Sequence, residues 1–285
     1  MGWRQRLRGQ AVVVTGGSRG LGLALAREFA RAGARVALVA RNAEELAAAR
    51  QTLVGDGVPE GDVLTVVADV GVRAEAERAV REASAKFGRV DVLVNNAAIL
   101  QVGPVEQQTV ENFEETARVN YLAMVYTTFA ALPQMLEQGS GRIVNIASMG
   151  GCLPVPHMLP YTASKFAAVG FSRGLHAELR GKGVRVTTVT PGMMRTGSIP
   201  QVKLVGDAAA ERAWFERGAR LASVSAECAA RRIVRAAARG RAETSVALPA
   251  LVLTRLAGVV PGVVARISAW VNEDLLPKAT HRRGR

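Results

Sequence analysis

The chain has 285 residues, enough for a large buried core, and its 49% apolar and 21% charged side chains are a globular balance. Two cysteines, Cys152 and Cys228, and three scattered histidines leave no disulfide framework and no zinc-ligand spacing, so a reducing, cytoplasmic setting is expected and a metal is not. The net charge of +13 is mostly arginine spread along the chain, with no helix-turn-helix, zinc finger or aromatic RNA-binding strand, which argues against nucleic acid and for anionic cofactors, acyl carriers or membrane surfaces.

The N-terminus is charged and runs into the apolar residues 11–14 without the apolar segment of a secretory signal, and Arg6 stands where a myristoylation motif wants Ser or Thr. Residues 10–15 predict a first strand buried on both faces. Directly after it comes Thr15-Gly-Gly-Ser-Arg-Gly-Leu-Gly22, followed by a helical pattern over 21–32. Glycines at 16, 20 and 22 let the turn tighten and bring a helix N-terminus close to a pyrophosphate, with Ser18, Arg19 and Leu21 in the same cradle. The spacing is Gly-x-x-x-Gly-x-Gly rather than the Gly-x-Gly-x-x-Gly dinucleotide fingerprint. A second strand follows at 34–40 and ends in Val39-Ala40-Arg41-Asn42. A carboxylate at this place would accept from the ribose 2′-hydroxyl of NAD. None is present, and Arg41 together with Arg19 points to a 2′-phosphate, hence to NADP(H).

Helix 43–53, strand 63–68, helix 74–87 and strand 90–94 continue the alternation. A long helix is expected over 110–136, with Asn120, a poor helix former, marking a local kink. Strand 142–147 then ends one residue before Ser148, helix 161–180 leads to strand 184–190, and residues 243–248 predict a seventh strand. Strands and helices alternating in this way imply right-handed βαβ units and an α/β, doubly wound parallel sheet. Tyr161 and Lys165 lie four apart on a helix and so share a face. An unperturbed phenol titrates near ~10. A lysine charge ~4 Å away, at an effective dielectric of ~20, is worth about 4 kcal/mol, enough to bring it to about 7. The pair is therefore a candidate proton donor and acceptor. The tail from 246 to 271 is strongly apolar, but Pro249, Arg255, Pro261 and Arg266 break it, which excludes a spanning helix and leaves a helix pair packed on the body, on a second subunit or on a membrane surface.

Thr15–Gly22, Asp69-Val70, Asn95-Asn-Ala-Ala98, Asn120, Ser148, Tyr161-x-x-x-Lys165 and Pro191-Gly192, in this order, resemble the short-chain dehydrogenase/reductase family over about residues 8–250. The resemblance implies a seven-stranded parallel Rossmann sheet. It implies that Tyr161 exchanges the proton, that Lys165 lowers its pKa and holds the nicotinamide ribose, that Ser148 steadies the substrate oxygen, and that Asn120 holds a relaying water. It implies further that Asp69 and Val70 hold the adenine, that Asn95, Ala97 and Ile99 line the cofactor, and that Pro191, Gly192 and Thr196 contact the nicotinamide and its phosphate. Ala98 replaces the family's usual glycine. Residues 193–225 would form the substrate lid of a single domain, 1–250, with Met193, Met194, Ile199 and Trp214 facing an apolar pocket, while His157 reads as a surface-loop residue. Residues 251–285 would be a helical extension with a basic tail. The expected activity is NADPH-dependent reduction of a ketone or aldehyde on a hydrophobic small molecule, by a homodimer or homotetramer. A 3-oxoacyl-thioester reductase and a catalytically silent cofactor-binding regulator are the alternatives.

Overall fold

The structure is a computed structural model that describes residues 2–195, 201–222 and 224–277. Seven strands form one sheet: β1 (Ala11–Thr15), β2 (Arg35–Ala40), β3 (Val63–Val67), β4 (Val92–Asn95), β5 (Gly141–Ile146), β6 (Val184–Val189) and β7 (Glu243–Thr244). Their spatial order is β7-β6-β5-β4-β1-β2-β3, and every neighbouring pair is parallel. The order reverses between β1 and β4, so a crevice opens at the carboxyl ends of those two strands, beyond Thr15 and Asn95.

Alternation along each strand feeds two cores. Val12 and Val14 of β1 pack on one face with α1 (Gly20–Arg31) and α2 (Ala43–Gly55), while Ala11 and Val13 pack on the other with α3 (Arg73–Phe87). The long helix expected over 110–136 is three pieces: α4 (Val110–Ala117), a π-helical turn over Arg118–Leu122, and α5 (Ala123–Glu137). In that turn the Ala123 amide bonds back to Arg118 O, the widened ladder of a π-bulge. Next come α6 (Leu159–Leu179), α7 (Ala208–Ala222) in the expected lid, and α8 (Ala226–Ala238), which joins α1 and α2 on the first face.

The seventh strand is two residues long rather than six. The Ser245 hydroxyl donates to Thr190 O at 3.0 Å and the chain turns away to start α9 (Leu248–Val259), followed by α10 (Pro261–Asp274). Among the described residues no helix is long and apolar enough to cross a membrane.

Candidate active site

The glycine turn sits at the crevice because two close contacts admit no side chain. Gly16 and Gly20 adopt φ of +63° and +54°, and a Cβ on Gly22 would lie 2.0 Å from Gly16 O. The turn is tied to the end of β4 through Thr15 and Asn96. The Thr15 hydroxyl accepts from the amides of Asn96 (2.9 Å) and Ala97 (3.1 Å), and Asn96 Nδ2 donates to Thr15 O at 2.9 Å. Helix α1 opens from this turn with no side-chain cap on Arg19 and no acid in its first turn, so its leading amides and dipole suit an anionic pyrophosphate.

Ser18 and Arg19 are both held by one carboxylate that the sequence reading missed. Ser18 Oγ donates to Glu45 Oε2 at 2.9 Å, and Arg19 Nη1 donates to Glu45 Oε1 at 2.8 Å. Glu45 is fixed in the first turn of α2, where its amide donates to the Asn42 side chain. Arg41 is exposed at the end of β2.

Across the crevice, Ser148 follows β5 and caps a single 3-10 turn over Met149–Gly151, its hydroxyl accepting from the Gly150 amide at 3.1 Å. Tyr161 and Lys165 stand two and six residues into α6. Lys165 is 2% exposed, and its ammonium donates to Ile146 O at 3.0 Å, 5.7 Å from the centre of the Tyr161 ring. Burial depresses Lys165 to about 8. The expected lowering of Tyr161 is reversed here: burial pushes the phenol up, and a hydrogen bond with Ser148 opposes that rise. The lysine bonds a strand carbonyl instead, and the phenol keeps its proton at neutral pH.

Asn120 lies in the π-turn, 1% exposed, and clamps the loop after β4. Its Oδ1 accepts from the Ile99 amide at 2.8 Å, and its Nδ2 donates to Ile99 O at 3.0 Å and to Ser164 Oγ at 3.1 Å. Ser164 in turn donates to Tyr161 O at 2.7 Å, which links the kink to the helix of Tyr161.

Other expected residues are differently employed. The Asn95 side chain points inward, donating to Asn145 Oδ1 (2.9 Å) and Thr128 Oγ1 (3.1 Å) and accepting from Thr127 (2.6 Å), so it cannot face a cofactor; Asn96 meets the crevice instead. Asp69 accepts from the Gly71 amide at 2.9 Å and from Arg118 at 3.2 Å, the bonds of a turn residue, with Val70 buried beside it. Pro191 O accepts from the Met149 amide at 2.9 Å, which holds the Pro191-Gly192 turn against the catalytic one, and Ala97 adjoins Gly16. Thr196 and Ile199 lie outside the described residues. His157 is no surface residue: its side chain is 7% exposed, its φ is +59°, and Nδ1 lies 2.6 Å from Glu211 Oε1 of α7. Burial pushes the Glu211 carboxyl up and His157 pulls it back.

The family model described as short chain dehydrogenase matches residues 10–203. D-threitol dehydrogenase of Mycolicibacterium smegmatis is 38% identical over 192 residues, 67% of this chain and 72% of that one. Levodione reductase of Leifsonia aquatica is 35% identical over 192 residues, again 67% and 72%. The 11-beta-hydroxysteroid dehydrogenase A of Sesamum indicum is 37% identical over 239 residues, 81% of this chain and 66% of that one. A short chain dehydrogenase/reductase of Burkholderia phymatum, solved in complex with NAD, superposes with a TM-score of 0.84 at 26% identity, covering 90% of this chain and 96% of that one. With a glycine turn at the strand-order reversal and Ser148, Tyr161 and Lys165 gathered across it, the chain belongs to the short-chain dehydrogenase/reductase family of oxidoreductases.

Proposed function

We propose that the protein is an NADP(H)-dependent reductase of a ketone or aldehyde carried on a hydrophobic molecule. The observation that carries this reading is the grouping of Ser148, Tyr161 and Lys165 at the carboxyl edge of β5, the same edge of the parallel sheet from which the glycine turn leaves β1. A bound nicotinamide supplies the hydride. The Ser148 hydroxyl sits beside the phenol and would hold the carbonyl oxygen of the substrate within reach of it. Tyr161, kept protonated by burial, donates its proton to that oxygen as negative charge develops there. Lys165 lies behind the phenol, and with a pKa near 8 it carries a positive charge over much of the neutral range, so it favours the tyrosinate left after transfer. Asn120 holds the Ile99 loop and, through Ser164, the start of α6, so that these groups keep their places.

The preference for NADP(H) is supported by Arg19 in the glycine turn, by the exposed Arg41 after β2 and by the absence of an acid from 39 to 42. Glu45 opposes it: a 2′-phosphate entering between Ser18 and Arg19 must displace the carboxylate that holds them. The hydrophobic substrate is supported by a cleft of about 830 Å³ lined by Val155, His157, Leu159 and Thr162, from the loop and helix start that flank Tyr161 in the chain.

Tyr161→Phe tests the chemistry. NADPH oxidation with a panel of apolar ketones should fall at least a thousandfold, on the scale of losing a general acid, while NADPH binding measured by fluorescence titration stays the same. Full turnover in the variant would overturn the assignment. Tighter binding of NADH than NADPH by the parent chain would overturn the choice of cofactor alone.

A further inference from the structure

We propose that α9 and α10 dock the protein onto an anionic lipid bilayer. Their burial is inverted relative to helices that serve a core. Helix α9 turns the small Ala250 and Ala257 inward, 3% and 7% exposed, and leaves Val252, Leu256 and Val259 outward at 48%, 47% and 78%. Helix α10 buries none of its side chains and presents Val263, Ile267 and Trp270 at 50%, 55% and 54%. Each trio follows the i, i+4, i+7 spacing of one helical stripe. An apolar surface of this extent is not left to water without a partner.

Charge selects the partner. Residues 246–285 carry six cations, Arg255, Arg266, Lys278, Arg282, Arg283 and Arg285, against two acids, Glu273 and Asp274 at the end of α10. A two-fold contact with a second copy would set this surface against itself and bring its excess of positive charge together. Anionic headgroups supply the missing charge. Arginine can lay its stem along apolar surface and reach a phosphate, and an exposed tryptophan suits the interfacial layer. Helices of 12 and 14 residues are too short to span, so they lie in the plane of the membrane. Ser268 Oγ donates to Pro154 O at 3.1 Å, and Ala265, Ser268, Ala269 and Asn272 form one wall of the cleft that Val155, Leu159 and Thr162 also line. A carbonyl compound dissolved in the bilayer would thus arrive next to the site; this consequence rests on the function proposed above, whereas the docking does not.

The test is co-sedimentation of the full chain with phosphatidylcholine vesicles containing no anionic lipid or about 30 mol% phosphatidylglycerol. Sedimentation is expected with the anionic vesicles and should weaken with added salt. Ile267→Asp, with a melting temperature matching the parent, should lose affinity about tenfold or more. Brominated lipids should quench parent fluorescence more than that of Trp270→Phe, and this comparison decides the matter if Ile267→Asp fails to fold. Equal amounts in the pellet with and without anionic vesicles would overturn the proposal. So would equal quenching of parent and Trp270→Phe. Self-association abolished by Ile267→Asp, without vesicle binding, would assign the surface to a second copy instead.

Discussion

Lys165 illustrates how a residue can be read correctly for its place and wrongly for its electrostatics. Helical spacing put it on the Tyr161 face, but spacing carries no information about burial, and burial governs both groups here. With Lys165 brought from 10.5 to about 8, the unfolded chain binds one more proton than the folded one between those values. Folded stability contributed by this site therefore rises as pH increases from about 8 to 10.5 and is flat below, where the full cost of the buried charge is already present. A shift of this size is on the order of 3 kcal/mol. The melting temperature of the parent relative to Lys165→Met should accordingly climb between pH 8 and pH 10; a constant difference would show that Lys165 titrates normally. Glu45 was invisible for a different reason. It lies in the first turn of α2 and reaches the glycine turn through a contact that no local spacing encodes. Because its pair with Arg19 is about half exposed at the arginine, solvent screens it. Glu45→Gln should tighten NADPH about three- to tenfold, within the range of a screened charged hydrogen bond, and leave NADH nearly unchanged, as read by fluorescence titration. Asn95 and Asn96 were separable in principle: neighbours at a strand end point to opposite sides, and Val94 already belonged to the first core face.

The elements carry the site on two junctions, one of which the sequence marks and the other of which it hides. Asn120 is marked, since a poor helix former sits mid-helix, yet the three-part outcome depends on its bonding both backbone groups of Ile99, a partner twenty-one residues away. The hidden junction is the turn Met149–Gly151 against α6. A Cβ on Gly151 would stand 2.4 Å from Lys165 O, a backbone atom of the helix that carries Tyr161 and Lys165, and neither partner is a flexible side chain. Gly151→Ala must therefore separate Ser148 from Tyr161 or bend α6. The expected cost is about 1–3 kcal/mol of stability, as for overpacked cores, seen as a lower melting temperature together with a fall in kcat larger than any change in KM for the nucleotide. Unchanged kinetics would mean that the turn can shift without disturbing the site. Helix α7 is tied down by the His157–Glu211 pair, which joins it to the loop before α6. Residue type suggested a solvated histidine; only the packing of α7 over that loop buries it.

At the scale of the whole molecule, among the described residues the two core faces draw no side chain from beyond Val246, so the C-terminal helix pair packs outside the main core. The strand alternation made the sheet legible because every strand but the last is long enough to show its period, whereas β7 has two residues and its predicted continuation instead turns into α9. The two tail helices were legible as helices from their apolar runs and proline breaks, but which side faces outward depends on where Ala250 meets Gly192 and Ser268 meets Pro154. Removing residues 261–285 deletes α10, none of whose side chains is buried, together with the buried Leu276 after it and one wall of the cleft. The melting temperature should consequently fall by no more than about 10 °C, the loss of one buried leucine at about 1.5–3 kcal/mol in a domain of this size. Ser148, Tyr161 and Lys165, on the turn after β5 and on α6, keep their partners. Turnover of a small ketone should then survive, while KM for a bulky apolar ketone rises because its contact surface is gone. A collapse in melting temperature would make α10 part of the fold. Equal KM values for the bulky ketone in both forms would place the substrate elsewhere along the crevice.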